Sequence, residues 1–215
     1  ISKPHAWEAG IYNKIISDKL RKQENTYRDK VRFYTFWFQI ERLKKEQIKG
    51  AFAELGVYKG ETASIIHQMD TSRTLHLFDT FQGFSKTDLD LEKSTDSRYR
   101  TSNFADTDIT SVKEYIDGND RIFFHAGYFP ETTKGLKDES YAFVHIDADL
   151  YKPTIDALNY FYPKLSPGGV ILIHDYNHNW EGVEKAIDAF ALTIPEVFTG
   201  IADWQGTVLL VKNRR

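Results

Sequence analysis

The sequence of 215 residues contains no cysteine. Without thiols the chain can form no disulfide bond, no thiolate metal site and no cysteine nucleophile, and this composition is compatible with a cytoplasmic protein. The chain also has no apolar run long enough to cross a bilayer, and no charged, apolar leader opens it. We therefore expect a soluble, cytoplasmic protein with no membrane partner.

An excess of positive charge is missing as well. The 28 lysines and arginines are interspersed with 31 aspartates and glutamates, and the formal net charge is -3. This distribution creates no basic field, so we expect no nucleic acid partner. The length suits one α/β domain with a full core. The chain begins at Ile1 rather than at methionine, as expected either after removal of a tag or for a domain of a longer polypeptide.

The N-terminal part differs in composition from the rest. Residues 12–49 are rich in Lys, Arg, Glu and Gln, carry apolar residues at helical spacing, and contain no glycine or proline. This pattern predicts a helical segment, residues 1–50, before a domain of residues 51–215. An aromatic patch in this segment is most often core, but before a first strand it is also suited to cover a crevice or to form a homodimer. The patch consists of Phe33, Tyr34, Trp37 and Phe38.

From residue 51 onward, short apolar runs alternate with helical patterns. This βαβ alternation predicts a mainly parallel sheet with helices on both faces, and residues 202–206 read as a hairpin connection between two closing strands. The polar stretch 81–108 lacks periodicity, so we expect a loop that is a lid or is disordered. The predicted strands lie near residues 51–57, 74–80, 121–126, 141–147, 169–174, 196–201 and 207–212, and the predicted helices near residues 61–69, 109–116, 153–165 and 182–193.

Two apolar runs end abruptly on acidic residues. One is followed by Asp147 and Asp149, and the other by His174 and Asp175. Continuous β-branched runs are typical of strands buried on both faces, and ligands bind at the carboxyl ends of such strands. Charges at the edge of a core are costly unless they are paired, so a divalent cation or a cationic substrate group explains the pattern. The alternative is that these acids are solvated residues that begin loops.

The turn after the first predicted strand is suited to a nucleoside. Gly56 and Gly60 permit a tight turn and close approach of a ligand, whereas Tyr58 and Lys59 would obstruct the pyrophosphate of a dinucleotide. Asp79 ends the second strand at close to the spacing of roughly 20 residues at which an acid reaches ribose hydroxyls. We therefore predict Asp79 as a ribose ligand. The alternative is a purely structural turn.

Four segments together resemble the macrocin O-methyltransferase (TylF/MycF-type) family of S-adenosylmethionine-dependent enzymes. They are residues 54–60 (ELGVYKG), 77–84 (LFDTFQGF), 145–154 (HIDADLYKPT) and 168–176 (GGVILIHDY). The resemblance spans roughly residues 52–212. It implies the Rossmann-like class I methyltransferase fold, with a seven-stranded, mainly parallel sheet whose last strand is antiparallel. It also implies methylation of a hydroxyl on a sugar of a natural product or on a related small molecule, usually with Mg²⁺.

The resemblance assigns roles by position. It places Glu54 and Gly56 beside the methionine part of S-adenosylmethionine and Asp79 beside its ribose. It assigns Asp147 and Asp175 to a divalent metal, Mg²⁺ or Mn²⁺, and Asp149 to the catalytic base. The complete predicted cofactor site consists of Glu54, Gly56, Tyr58, Asp79, Thr80 and Asp147.

His174 departs from the family pattern, which commonly has Asp-Asp-Tyr at residues 174–176. Histidine is a good ligand for Zn²⁺, Mn²⁺ or Fe²⁺ but a poor one for Mg²⁺, which prefers oxygen. Three possibilities stay open. His174 ligates a softer ion, it points elsewhere while Mg²⁺ keeps an extra water, or it is itself a catalytic base in a metal-free site.

Several residues have a structural alternative. Asp149 is also placed to cap the helix that follows it. His145 lies inside a strand and is expected to be a core histidine. His125 and Tyr128 follow the third strand, near an adenine pocket, but packing is the expected role of both. His178 is a candidate for substrate contact.

Two other functions are alternatives to O-methyl transfer to a small hydroxylated acceptor. A nicotinamide dehydrogenase would use the same sheet, but the glycines that bind a pyrophosphate are missing. A non-catalytic or metal-independent S-adenosylmethionine-binding domain of a larger polypeptide stays open, because histidine replaces an expected acid at residue 174.

Overall fold

The computed structural model describes residues 2–92, 99–176 and 181–214. It begins with three helices, α1 (His5–Tyr12), α2 (Asp18–Thr26) and α3 (Lys30–Lys45). The segment predicted to be helical is therefore helical, but two short connections divide it. Ser17 and Asp29 explain these divisions, because their side chains accept hydrogen bonds from backbone N–H groups of the following turn and so begin new helices.

The remaining elements alternate between strands and helices, as predicted. The strands are β1 (Ala51–Leu55), β2 (Leu75–Asp79), β3 (Ile122–Ala126), β4 (Tyr141–Ile146), β5 (Leu165–Ile173), β6 (Thr199–Ile201) and β7 (Thr207–Val211). The helices are α4 (Glu61–Met69), α5 (Lys86–Leu91), α6 (Ile109–Ile116), α7 (Tyr151–Lys164) and α8 (Glu181–Ala191), with a short 3₁₀ turn at Glu131–Thr133. Helix α7 begins before Pro153, because proline is tolerated in the first turn of a helix.

Two elements differ from expectation. The stretch 81–108, expected to be a loop, contains α5, which packs near α7. Its Asp88 is buried and accepts a hydrogen bond of 2.7 Å from the hydroxyl of Tyr128, an anchor that local periodicity cannot reveal. Residues 93–98 of this stretch lie outside the described residues, and the lid stays a prediction. Strand β5 begins early because Leu165 pairs with Tyr141 of β4.

The seven strands form one sheet in the order β3-β2-β1-β4-β5-β7-β6. The pairs from β3 to β5 are parallel, whereas β7 runs antiparallel to both β5 and β6. This confirms the mainly parallel sheet with an antiparallel last strand. The strand order reverses between β1 and β4, which is the position where open α/β sheets bind ligands beyond the carboxyl ends of their strands.

Helices cover both faces of the sheet. The N-terminal helices pack on one face together with α4 and α6, and α7 and α8 pack on the other. Within the aromatic patch of the N-terminal segment, Trp37 is buried against Trp7, and Phe38 is 49% exposed. Phe36 packs edge-on against Phe143 of β4. The N-terminal segment therefore shares a core with the sheet, while its division from residues 51–215 and its part in a homodimer stay predictions.

Among the described residues, no helix combines the length and the apolar character needed to span a bilayer.

Candidate functional site

The carboxyl ends of β1, β2, β4 and β5 open into one cavity of about 460 Å³. Its wall includes residues from the β1–α4 turn, the loop after β2, and the loops after β4 and β5. Every residue predicted to form the site lines this cavity except Glu54. The lining members of that set are Gly56, Tyr58, Asp79, Thr80, Asp147, Asp149, His174 and Asp175.

Gly56 joins two parts of the cavity wall. Its φ is +87°, and a Cβ atom at this position would lie 1.8 Å from the carbonyl oxygen of Asp147. Any larger residue would collide with the backbone after β4. The glycine therefore serves the close approach of two strand ends.

Asp79 shapes the turn after β1. One carboxylate oxygen accepts hydrogen bonds from the N–H groups of Val57 and Tyr58, at 2.7 and 2.9 Å, and the other accepts one from Phe81 at 2.7 Å. A carboxylate offers about four acceptor positions. Most of the capacity of Asp79 is thus used by the backbone, and what is left faces the cavity.

Phe104, which lines the cavity, and Asp106 both contact Tyr58. The Tyr58 hydroxyl donates to Asp106 at 2.8 Å, and the ammonium of Lys59 lies 2.6 Å from the other oxygen of the same carboxylate. Phe104 packs edge-on against the ring of Tyr58. Thr80 is turned toward its own loop, where its hydroxyl donates to the carbonyl of Gly83 at 2.8 Å.

Glu54 is inside the protein and not on the cavity wall. Its side chain is fully buried, and one oxygen lies 2.8 Å from Nδ1 of His145, which is buried as well. Its second oxygen has no partner among the described residues. The side chain points to the face of the sheet covered by α3, where Phe36 packs on His145. The structure therefore does not bring Glu54 to the predicted cofactor site, and it supports the core role expected for His145.

The acids at the ends of β4 and β5 converge as predicted. Ligand atoms of Asp147, His174 and Asp175 all lie within 4.8 Å of one another, which is the spacing of a cluster able to share one cation. Asp149 and Asp175 both have left-handed backbone conformations, with φ of 61° and 64°. This conformation is uncommon outside glycine, although aspartate tolerates it better than most residues. Asp149 does not cap α7, because the N–H of Tyr151 donates to Glu92 instead.

The carboxyl groups of this cluster have divergent pKa values. Burial, followed by the charges of Asp147 and Asp175, raises the pKa of Asp149 well above its ordinary value. Burial and the charge of Asp147 also raise the pKa of Asp175 to about 7. For Asp147 burial acts in the same direction, but the nearby His174 and Arg32 outweigh it and lower the pKa. Perturbed carboxyl groups gathered in a cleft are typical of functional sites.

Arg32 was not identified from the sequence. It lies on α3, its Nη1 is 3.3 Å from Asp147, and its Nε donates to the hydroxyl of Tyr27 at 2.6 Å. Burial alone would lower the pKa of its guanidinium, but the charge of Asp147, the contact with Tyr27 and the charge of Asp203 together outweigh burial and raise the pKa. In the sequence, Arg32 is visible only as a cation inside the apolar run of α3. Nothing in that local pattern indicates that its partner is Asp147.

The β6–β7 connection supplies three further residues that sequence reasoning missed. Gln205 donates to Asp175 at 3.3 Å. Nδ1 of His174 lies 3.2 Å from the hydroxyl oxygen of Thr207, and that hydroxyl is hydrogen-bonded to Asp203. Burial lowers the pKa of His174 despite the charge of Asp147.

Three residues near the strand ends were predicted to have packing roles or to contact substrate: His125, Tyr128 and His178. His125 stacks on Phe78 and lies 2.9 Å from Nδ1 of His76, so packing is its role. Tyr128 does line the cavity, while its hydroxyl binds Asp88 of α5. His178 lies outside the described residues.

Comparison with known proteins agrees with this geometry. A family profile described as macrocin-O-methyltransferase (TylF) matches residues 20–208. The mycinamicin III 3''-O-methyltransferase of Micromonospora griseorubida is 31% identical over an alignment of 150 positions, and the match covers 64% of this chain and 59% of that protein. The chain thus spans less than two thirds of the length of this relative.

Solved structures resemble most of this chain. The O-methyltransferase NovP superposes with a TM-score of 0.74 at 22% identity, over 86% of this chain and 81% of NovP. An O-methyltransferase from Bacillus cereus in complex with S-adenosylhomocysteine gives a TM-score of 0.58 at 14% identity, over 84% of this chain and 81% of that one. At these low sequence identities the superpositions show the fold alone, which is that of class I O-methyltransferases. The family profile covers most of the chain and confirms the resemblance seen in its four segments: the chain belongs to the macrocin-O-methyltransferase (TylF) family.

Proposed function

We propose that this protein is an S-adenosylmethionine-dependent O-methyltransferase that acts on a hydroxyl of a sugar or of another small natural product. The observation that carries the proposal is a single cavity that joins a nucleoside-type turn at Gly56 and Asp79 to the cluster of Asp147, Asp149, His174 and Asp175. A similarly folded enzyme holds S-adenosylhomocysteine. The related protein from Micromonospora is named as a 3''-O-methyltransferase of mycinamicin III.

The β1 and β2 ends would hold the cofactor. Asp79 has acceptor capacity left for a ribose hydroxyl, and Gly56 and Asp147 both line the cavity where the methionine part would lie. Arg32 places a cation at this same wall, 3.3 Å from Asp147, where it can attract the carboxylate of the methionine part. Tyr58 and Thr80 would complete the wall around the nucleoside.

The cluster would serve the acceptor hydroxyl. Methyl transfer from a sulfonium is an in-line displacement, so the protein must align an oxygen nucleophile and accept its proton. Asp149 is our candidate base, because a carboxylate with a raised pKa binds a proton more strongly than an ordinary aspartate does. Its left-handed backbone and the neighbouring acids hold it at the end of β4.

The donor set of the cluster fits a divalent cation. Asp147, His174 and Asp175 bring two carboxylates and one imidazole to within 4.8 Å of one another, and their burial makes uncompensated charge costly. Bound there, a divalent ion would orient two neighbouring hydroxyls of the acceptor and lower the pKa of the attacking one. We propose Mg²⁺ or Mn²⁺ for this position.

One observation favours a second candidate, a methyltransferase that needs no metal. The guanidinium of Arg32 already compensates part of the charge of Asp147. In that case Asp149 or His174 would act as a simple base. A non-catalytic domain that binds the cofactor without turnover is the remaining alternative.

Two measurements test the proposal. Calorimetry should show binding of S-adenosylmethionine and S-adenosylhomocysteine but not of NAD⁺. Transfer of labelled methyl groups to a panel of hydroxylated glycosides should then stop after exhaustive chelation and return when Mg²⁺ or Mn²⁺ is added. Transfer that survives chelation would support the metal-free enzyme, whereas cofactor binding without transfer to any acceptor would contradict the catalytic function.

A further inference from the structure

Two residues outside the acidic cluster hold the imidazole of His174. Nδ1 lies 3.2 Å from the hydroxyl oxygen of Thr207, and the Thr207 hydroxyl donates to one oxygen of Asp203. The backbone N–H of Thr207 donates to the other oxygen of Asp203 at 2.7 Å. His174 is 5% exposed and Thr207 is 1% exposed, so the protein itself supplies these partners.

Strand pairing explains why these residues meet. In the antiparallel pair of β5 and β7, Ile173 lies opposite Val208. The next position along the pair therefore sets His174 opposite Thr207, and directly opposed side chains interact across a sheet. Asp203 precedes β7 in the same connection and closes the chain of hydrogen bonds.

The hydrogens available in this series of hydrogen bonds determine which nitrogen of His174 carries a hydrogen. An ionised carboxylate can only accept, and a threonine hydroxyl has a single hydrogen to donate. Asp203 receives that hydrogen, so the Thr207 oxygen can only accept from His174, and Nδ1 must carry a hydrogen. In the neutral imidazole, Nε2 is then left with a lone pair. Nε2 is the nitrogen that faces the acids, 3.6 Å from an oxygen of Asp175.

We propose that Asp203 and Thr207 are positioning residues that hold His174 in its Nδ1–H form. The lone pair of Nε2 is then always available to a metal ion, and the site binds Mn²⁺ in preference to Mg²⁺. Metal-bound histidines commonly donate their other N–H to such a partner, which fixes the ring and its tautomer. An imidazole donor suits transition-metal ions better than Mg²⁺. Among the described residues, His174 is the one histidine on the cavity wall. The inference rests on the proposed function for the purpose of the ion, but both of its tests are independent of methyl transfer.

The tautomer can be read directly by nitrogen NMR of protein labelled in its histidines. In the wild-type protein the spectrum should show His174 with its hydrogen on Nδ1. Asp203→Asn should reverse this state. Its carbonyl oxygen must face the N–H of Thr207, so its amide would donate to the Thr207 hydroxyl and free that hydroxyl to donate to Nδ1. Thr207→Val removes the partner altogether and should leave a mixture of both tautomers.

Metal preference is the second readout. Mn²⁺ binding is measured by electron paramagnetic resonance, and Mg²⁺ binding by its competition with Mn²⁺. The ratio of the two affinities should favour Mn²⁺ in the wild type and fall by about tenfold or more in Asp203→Asn, as expected when a partner of a metal-bound histidine is changed. Thr199→Val, at an exposed position of β6, is the matched control and should behave as the wild type.

The outcomes separate the inference from the proposed function. A hydrogen on Nε2 in the wild type, or an unchanged affinity ratio in folded Asp203→Asn protein, would overturn the positioning role. Equal or tighter binding of Mg²⁺ to the wild type would overturn the metal preference. If Thr207→Val does not fold, the isosteric Asp203→Asn variant still decides the result. Methyl transfer, assayed separately, decides the proposed function.

Discussion

The two ends of the cavity hold their carboxylates in opposite ways. At the end of β2, Asp79 accepts three hydrogen bonds from backbone N–H groups. At the ends of β4 and β5, Asp149 and Asp175 face other acids, and burial followed by the charge of Asp147 raises the pKa of both. All of these residues are acids that follow buried strands, and the sequence pattern alone does not separate them.

The difference separates an acid that maintains structure from acids that repel one another. A carboxylate whose lone pairs accept hydrogen bonds from backbone N–H groups stabilises a turn. Carboxylates that repel one another in a buried cluster are stabilised when a proton or a cation joins them. Asp79 therefore shapes the turn after β1, and we propose the cluster as the reactive end of the cavity.

The largest effect should come from removing one charge of the cluster. Asp147→Asn and Asp175→Asn should each lower kcat by about 100-fold or more, because positioned acid–base and metal groups contribute on this scale. Affinity for S-adenosylhomocysteine should stay within about twofold in Asp175→Asn, and the losses of kcat should not add in the double variant because both residues serve one unit. Steady-state kinetics and calorimetry measure both quantities. The exposed Asp120→Asn is the control, and equal losses of kcat and cofactor affinity would contradict a separate acceptor end.

The next largest effect concerns pH. Because the pKa of Asp175 is raised to about 7, the folded protein keeps a proton that the unfolded chain releases above about pH 4. This contribution lowers the free energy of unfolding as pH rises from about 4 to 7. Asp175→Asn should therefore become more stable than the wild type across that range, by about 2–4 kcal/mol at pH 8 without divalent ions.

Wild type and variant must be compared because the buried histidines have the opposite effect: they raise the free energy of unfolding as pH rises. Burial lowers the pKa values of His67 and His174, and that of His125 to about 4, so these groups favour folding as pH rises through their range. The contributions of His67 and His125 are present in both proteins and cancel in the difference, whereas that of His174 changes in the variant because its Nε2 lies 3.6 Å from Asp175. Denaturant unfolding at several pH values measures the difference in stability, and a difference that does not change with pH would remove Asp175 from the coupled cluster.

Asp79→Ala probes the opposite end of the cavity. The variant should weaken binding of S-adenosylhomocysteine by about 1–3 kcal/mol and also lower the free energy of unfolding by a similar amount, because three backbone N–H groups lose their acceptor. Calorimetry and denaturant unfolding report the two losses. Unchanged cofactor affinity in a destabilised protein would make Asp79 a purely structural residue.

The smallest effect is expected for the contacts of Asp106 with Tyr58 and Lys59. Asp106→Ala removes these exposed contacts, and exposed ion pairs contribute little to stability. The free energy of unfolding should stay nearly unchanged, while hydrogen exchange of residues 99–108 should accelerate. If exchange there is slow in both proteins and unaffected by S-adenosylhomocysteine, the lid prediction is wrong.

Most of the fold was predictable because its signals are local. Continuous apolar runs predicted the parallel strands, and helical spacing predicted α4 and α6 with their observed bounds. Helix α5 was missed because its stabilising contact, between Asp88 and Tyr128, joins residues 40 positions apart. The predicted contact of Glu54 with the cofactor was based only on its position in the motif. In the folded chain, its side chain pairs with His145 on the neighbouring strand and is buried in the core.

The amino-acid sequence alone was enough to predict the family, the order of the strands and the acids at the strand ends, because each of these is encoded in a short stretch of residues. The contacts of those acids depend on the folded chain. The cation beside Asp147 comes from Arg32, 115 positions away, and the partner of His174 comes from β7, 33 positions away. Such contacts depend on helix packing and strand register, which no local pattern specifies. For that reason the chemistry of the cluster became visible only in the folded chain.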